Sequence, residues 1–485
     1  MSQDTLERIS SGIPGLDSIL RGGIVEGRMY LILGEPGTGK TLLGMSFLRE
    51  GLENGEDVLF IHGEESKEDI LINGRRVGID LSEAVFLDLG PDSGFFSVDR
   101  SYELVDPRDL ESEQITERIR EVIDQRNPDR ILFDPITQLQ ALEPNEYQYR
   151  KRLVSFMRFL QGQGITVLST QTPETSTDAT IRSLSDGVIR LDQNASGRRI
   201  AVEKHRGIGQ RSGSHGLEIR ENGLEVYPAL DPETDAFEFD PEQLSTGLEA
   251  FDALLGGGIE RGTVTAFSGP TGVGKTTFAA QLLEAVTRAG HPASMYQFEE
   301  GVEMVRHRSA SLGIDIDDRE NSLLTLAEIE PLTLSPEEFA REVKRDVDER
   351  GTELVVIDGT EGYQLSLHGE DTDIVGSLHA LCRYLTGRNV TVVLIDQSDQ
   401  SDGMTEPTSK NFSYLADNVV VLNYIERDGR KERIAGVMKK RLGNHEETVR
   451  PYTLGTDGIE MRDPETAIGD FLTGSPSYET PGGDG

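Results

Sequence analysis

Apolar residues in this chain fall into short runs of strand length, and the stretches between them carry apolar positions at helical spacing. In the first half, residues 29–33, 58–61, 131–133, 165–169 and 187–191 read as strands; in the second, residues 264–268, 294–298, 354–357, 390–395 and 418–422 do. Runs such as Val58-Leu-Phe-Ile61 and Leu354-Val-Val-Ile357 are apolar without alternation, the pattern of strands buried on both faces. Amphipathic segments such as residues 115–126 separate them. The expected class is therefore α/β, with mainly parallel sheets flanked by helices. A hairpin is expected to complete each domain near residues 201–204 and 434–439. No run approaches the roughly 20 apolar residues of a membrane-spanning helix.

The pattern is written twice. Ser11-Gly-Ile-Pro-Gly-Leu-Asp-Ser-Ile-Leu-Arg-Gly-Gly-Ile24 matches Thr246-Gly-Leu-Glu-Ala-Phe-Asp-Ala-Leu-Leu-Gly-Gly-Gly-Ile259. In each, apolar residues (Leu16, Ile19 and Leu20; Phe251, Leu254 and Leu255) line one face of a short helix that the glycines stop. A strand follows and ends in a glycine-rich loop. Gly34-Glu-Pro-Gly-Thr-Gly-Lys40-Thr41 recurs as Gly269-Pro-Thr-Gly-Val-Gly-Lys275-Thr276, an offset of 235 residues that also relates Gly12 to Gly247, Glu64 to Glu299, Lys204 to Lys439 and Arg206 to Arg441. A chain of 485 residues suits two domains of roughly 200 residues each. The duplication places them at residues 1–228 and 245–463. Residues 229–244, polar and proline-bearing, read as a linker, and residues 464–485, which hold no Lys or Arg, as a flexible tail.

Composition narrows the functions. A net charge of -38 repels nucleic acid unless basic groups gather in a groove or pore, so a nucleic-acid partner is disfavoured. The acids are spread through both halves. One reading is a whole-surface adaptation to concentrated salt, where screening suppresses self-repulsion; the other is an unusually soluble protein of ordinary salt. The single cysteine, Cys382, excludes an internal disulfide and reads as part of a packed helix face. The first residues have neither a basic cap nor an apolar stretch, so no secretory signal is visible and a cytoplasmic, membrane-free protein is expected.

The loops carry the chemistry. A Gly-x-x-x-x-Gly-Lys-Thr loop joining strand to helix is a nucleotide-binding motif, because its glycines let backbone N–H groups curve around phosphate oxygens at the positive end of a helix. ATP and Mg2+ are the expected cofactors. The candidate contacts are Gly34, Glu35, Pro36, Gly37, Thr38, Gly39, Lys40, Thr41 and Leu42, with Gly269, Pro270, Thr271, Gly272, Val273, Gly274, Lys275, Thr276 and Thr277. Lys40 and Lys275 should reach the terminal phosphates, while Thr41 and Thr276 give a hydroxyl oxygen to magnesium. Asp134 and Asp358 end apolar strands and can hold a magnesium water. The adjacent pairs Glu64-Glu65 and Glu299-Glu300 follow the second strand of each repeat; Glu64 and Glu299 are assigned as bases, with Glu65 and Glu300 as helpers. Far along the chain lie Lys204, Arg206, Lys439 and Arg441, which in a ring can project across the subunit boundary towards a neighbour's ATP; a solvated strand edge is the alternative. His215 and His445 follow these basic elements and are further candidate nucleotide contacts, His445 being the better matched.

With these residues in view, the repeats resemble the RecA-like ATPases, and specifically the two-domain KaiC family, from about Ser10 to Met461. The resemblance implies two tandem RecA-like P-loop domains, assembly into a two-tiered homohexameric ring, and ATP bound between subunits. It also implies hydrolysis in the first tier, with autokinase and autophosphatase activity in the second. The family's adjacent serine and threonine acceptors correspond to Ser413 and Tyr414. Ser413 is thus the candidate phosphoacceptor, Thr408 and Ser409 are secondary ones, and dual serine and threonine cycling is not implied. The tail offers little of the apolar helical periodicity by which circadian members engage a regulatory partner, so such a partner stays unidentified. The expected function is an ATP-hydrolysing, self-phosphorylating regulatory ring. A DNA-associated RecA-like motor and a nucleotide-stabilised scaffold are the alternatives.

Overall fold

The computed structural model describes residues 6–90, 107–141, 146–173, 178–194, 197–230, 242–317, 323–330, 333–366, 371–397, 414–427, 429–464, 468–469 and 477–478. Ser413, Thr408, Ser409, most of the linker and most of the tail lie outside the described residues. The chain divides into two compact units, Met1–Ala229 and Leu230–Gly485.

In the first unit a nine-stranded sheet runs, edge to edge, Val85–Asp88, Val58–His62, Arg130–Asp134, Thr166–Gln171, Met29–Gly34, Gly187–Asn194, Gly197–His205, His215–Arg220 and Gly223–Tyr227. The first six strands are parallel and the last three antiparallel. The second unit repeats the plan as Leu324–Glu328, Ala293–Gln297, Leu354–Asp358, Thr391–Gln397, Val264–Gly269, Asn418–Arg427, Arg430–Lys440, Arg450–Gly455 and Gly458–Met461. Its first six strands are likewise parallel.

The unbroken apolar runs are explained by burial on both sides. Along Met29–Gly34, Ile32 joins Phe60, Leu132 and Leu168 in one layer, while Leu31 and Leu33 join Ile61, Ile131, Phe133 and Val167 in the other. The short openers Pro14–Ile19 and Glu249–Leu254 bury the expected faces, Leu16 and Ile19 in one and Phe251 and Leu254 in the other. Cys382 is buried in the helix Asp371–Thr386, and burial pushes its thiol up to about 12, as a packing residue requires.

Two features depart from the expectation. Val85–Asp88 and Leu324–Glu328 are edge strands of mixed burial, without the continuous run that reveals an inner strand. The predicted hairpins form, but they do not finish the domains: two further antiparallel strands follow in each. Those strands pack beneath the phosphate loop. The Tyr452 hydroxyl donates to the Val273 carbonyl at 2.8 Å. A Cβ on Gly274 would meet Leu454 at 3.0 Å, and one on Gly39 would meet Leu224 at 3.4 Å.

Candidate active site

Each central strand, Met29–Gly34 and Val264–Gly269, delivers its loop to the first turn of a helix, Lys40–Glu53 and Lys275–Arg288. Gly39 (φ 103°) and Gly274 (φ 116°) hold the turn into the helix in the left-handed region, where a side chain is strained. Neither helix has a side-chain cap, so its leading N–H groups are available to an anion. Lys40 Nζ donates to the carbonyls of Gly34 at 2.8 Å and Glu35 at 3.0 Å; Lys275 Nζ donates to Gly269 at 2.7 Å and Pro270 at 3.2 Å. An ammonium has three N–H groups, so one remains beyond those that brace the loop. Burial lowers both lysine pKa values. The carboxylates that oppose the shift are Asp134, Glu35 and Glu64 in the first unit, and Asp358, Glu299, Asp396 and Glu361 in the second. The fold thus gathers the predicted lysine, strand-end aspartate and glutamate in both repeats.

Asp358 is buried at the end of its strand, where Gln297 Nε2 donates to it at 3.0 Å and the Thr276 hydroxyl also hydrogen-bonds it. Burial, aided by Glu299 and Glu300, pushes its pKa up to about 6. The Thr276 hydroxyl on the first helical turn and the Asp358 carboxylate at the strand end form an all-oxygen set that suits Mg2+. Among the described residues no group of three or more His, Cys, Asp or Glu is arranged to hold a metal ion. Thr41 and Asp134 occupy the same places in the first unit, where Asp134 accepts from the Thr170 hydroxyl.

The glutamate pairs differ. Glu299 lies against backbone beside Asp358: a Cβ on Gly359 would meet its Cδ at 2.8 Å and one on Gly362 its Cγ at 2.8 Å, and the Gly362 amide approaches Glu299 Oε1 at 3.4 Å. The first repeat has no such cradle. Pro135 and Gln138 stand where Gly359 and Gly362 do, the Gln138 side chain lies against Gly63, and Glu64 is exposed. Each helper is tied to the following helix, Glu65 by Asn73 Nδ2 at 3.4 Å and Glu300 by Arg308 at 2.7 Å.

The basic elements lie at the opposite end of the sheet from their own loops. His205 pairs with Gly187, which pairs with Tyr30, whereas Leu191 pairs with Gly34. Lys440 pairs with Asn418, which pairs with Thr265, whereas Val421 pairs with Ser268. The separation is about four strand residues, roughly 13 Å. Lys204 Nζ donates to the carbonyls of Arg182 (2.9 Å), Ser183 (3.2 Å) and Ser185 (2.6 Å), and Lys439 Nζ to that of Ala416 (2.6 Å). Both lysines are therefore engaged by their own chain. Arg206 and Arg441, with side chains 55% and 56% exposed, are the outward members. His445 stays with this end, where a Cβ on Gly256 would meet the Asn444 carbonyl, so it is remote from the loop of its own unit. His215 departs from the expectation of a nucleotide contact. It is buried, its Nδ1 accepts the Ala229 N–H at 3.0 Å, and burial lowers its pKa to about 4, which keeps it neutral in the core.

The sequence reading missed the partners that hold these groups: Gln297, the glycines at 359 and 362, and the aspartates Asp186 and Asp417. The signal for the last was present, since Ser185-Asp-Gly187 and Ala416-Asp-Asn418 each precede the last parallel strand.

A central strand that feeds such a loop, with carboxylates at the ends of other parallel strands of the same sheet, defines a RecA-like P-loop ATPase. The family described as "ATPase: KaiC" matches residues 9–231 and again residues 244–466. The chain belongs to the KaiC family. It is 26% identical to the circadian clock oscillator protein KaiC of Picosynechococcus sp., over 97% of this chain and 93% of that protein. It is 28% identical to the circadian clock protein KaiC2 of Synechocystis sp., over 97% and 84%, and 25% identical to the circadian clock oscillator protein KaiC of Synechococcus elongatus, over 98% and 93%.

The raised Asp358 pKa has a measurable sign. The folded carboxyl binds its proton more tightly than the unfolded one, whose value is 3.8, so this group's contribution declines as pH rises towards about 6. In EDTA without nucleotide, Asp358→Asn removes that decline, and its stability relative to the parent should rise by about 3 kcal/mol between acid and neutral pH. Unfolding curves that shift in parallel with pH would show that burial does not strain this carboxylate.

Proposed function

We propose that the chain is a cytoplasmic, magnesium-dependent ATPase that assembles into a two-tiered homohexameric ring, hydrolyses ATP and phosphorylates itself on Ser413 as a regulatory switch. One Lys40 or Lys275 N–H turns to the terminal phosphate while the others brace the loop. Magnesium, when bound, screens phosphate charge; Thr41 and Asp134, or Thr276 and Asp358, are the residues that would hold it. Glu64 and Glu299 orient and deprotonate the attacking water, and the cradle around Glu299 keeps that carboxylate in place. Arg206 and Arg441 neutralise charge on the nucleotide of the adjacent protomer.

The observation that supports this reading is the separation of the exposed arginines from their own loops, roughly 13 Å along the sheet, which suits action on a neighbour's nucleotide better than on their own. A mixing experiment tests it. Lys275→Ala and Arg441→Ala chains, each also carrying Glu64→Gln to silence the first tier, should be inactive alone. Mixed in equal amounts, they should recover about a quarter of the parental second-tier rate, because a heterologous ring pairs intact loops with intact arginines at random. A mixture as inactive as its components would sink the shared site.

The autokinase reading rests on the position of Ser413 between Thr391–Gln397 and Asn418–Arg427. Incubation with gamma-labelled ATP and magnesium should label the parent chain and leave Ser413→Ala unlabelled; label retained in that variant refutes the assignment. The net charge of -38 supports a chain adapted to concentrated salt, of the kind haloarchaeal proteins exemplify. Its unfolding temperature should climb between about 0.2 M and about 3 M potassium chloride as the carboxylates are screened. A flat or falling curve would favour an ordinary soluble protein.

A further inference from the structure

Each repeat ties its outward arginine to the foot of the strand that carries its own phosphate loop. Asp417 does this in the second unit. Its Oδ2 accepts the Val264 N–H at 3.0 Å and its Oδ1 accepts Arg441 Nη1 at 3.1 Å. Its peptide bridges the same partners, with its N–H donating to the Val264 carbonyl at 2.7 Å and its carbonyl accepting from the Arg441 N–H at 3.1 Å. Asp186 repeats the arrangement. Its Oδ2 accepts the Met29 N–H at 3.3 Å and its Oδ1 faces Arg206 Nη1 at 3.5 Å. The peptide bonds recur too, to Met29 at 2.8 Å and from Arg206 at 2.9 Å. Met29 and Val264 open the strands that end at Gly34 and Gly269.

We propose that Asp186 and Asp417 are positioning residues, each fixing the arginine that completes the adjacent protomer's ATP site from the foot of the strand that ends in its own phosphate loop. This rests on the shared-site reading above. The aspartate side chains are 4% and 23% exposed, and the arginines are more than half exposed. An ion pair with so exposed a partner adds little to stability, so its recurrence in both repeats needs another reason. Placement supplies one. An arginine acting on a transition state loses most of its effect when displaced by about an ångström. The lysine two residues earlier is already held by carbonyls of its own chain, so the element is pinned and the guanidinium is placed by the aspartate, joined in the first unit by the Ser183 carbonyl, which accepts from Arg206 Nη2 at 3.1 Å.

Asp417→Asn in the full-length chain separates these roles, because an asparagine still accepts the Val264 N–H but no longer carries the charge that holds Arg441. On the Glu64→Gln background, kcat for ATP should fall on the order of tenfold while KM changes little, since a transition-state contact has lost its geometry. Asp417→Glu should recover part of the loss, and the nucleotide-free unfolding temperature should stay within about 2 °C of the parent. An unchanged kcat in Asp417→Asn beside a reduced one in Arg441→Ala overturns the positioning role, as does a fall in kcat that tracks a loss of thermal stability. An Arg441→Ala chain with parental kcat instead overturns the shared site itself.

Discussion

A parallel strand has two unlike ends, and that polarity governs both halves of this protein. The central strands Met29–Gly34 and Val264–Gly269 are buried along their whole length, so each acts as a rigid spacer. At the carboxyl end the chain turns through a left-handed glycine into a helix whose leading N–H groups carry no side-chain cap. At the amino end the same strand is clamped to an aspartate and, through it, to an exposed arginine. Antiparallel strands added beyond the parallel set return beneath the loop and support it from below. The phosphate loop and the exposed arginine of one unit consequently lie at opposite ends of the same strand.

On this common plan the two repeats diverge in charge. The carboxylates around Lys275 number one more than those around Lys40. At the strand position just before the loop level, the first unit has Gln171 in register with Leu33, whereas the second has Asp396 in register with Ser268. Both are fully buried, so the difference between an amide and a carboxylate is not diluted by solvent. Asp396 accepts from the Thr360 hydroxyl; the first unit has Ile136 in the place of Thr360. Together with the cradle around Glu299, these changes give the second pocket a more fixed and more negative interior. At one position outside the pocket it is the first unit that buries a charged group, paired there with Glu56. Buried Arg130, which donates to the Ser10 and Phe47 carbonyls, stands where the second unit has Leu354.

The inner strands, the loops and the domain class were legible because they leave local marks: an unbroken apolar run, a glycine pattern and a fixed offset. The edge strands Val85–Asp88 and Leu324–Glu328 left no such mark, since half of an edge strand faces solvent and its residues need not be apolar. His215 misled for a related reason. A histidine after a basic element reads as a ligand, yet its surroundings are supplied by Ala229 and by strands distant in sequence, and they make it a neutral core group. Lys204 and Lys439 were found by their spacing, but which carbonyls engage them depends on how the preceding segment ends, and spacing does not report that.

The sequence by itself determined that one nucleotide-binding module occurs twice, which residues line each phosphate loop, and that acids and bases recur at matched positions, because backbone conformation at glycine and burial of apolar runs are local or periodic constraints. The tertiary structure decided which of those residues meet. Sheet register separates Arg206 and Arg441 from their own loops, the approach of Gly359 and Gly362 holds Glu299, and burial among distant strands, with Glu299 and Glu300 nearby, raises the pKa of Asp358. Such effects arise from neighbours far apart in the chain, and no pattern along it encodes the distances between them.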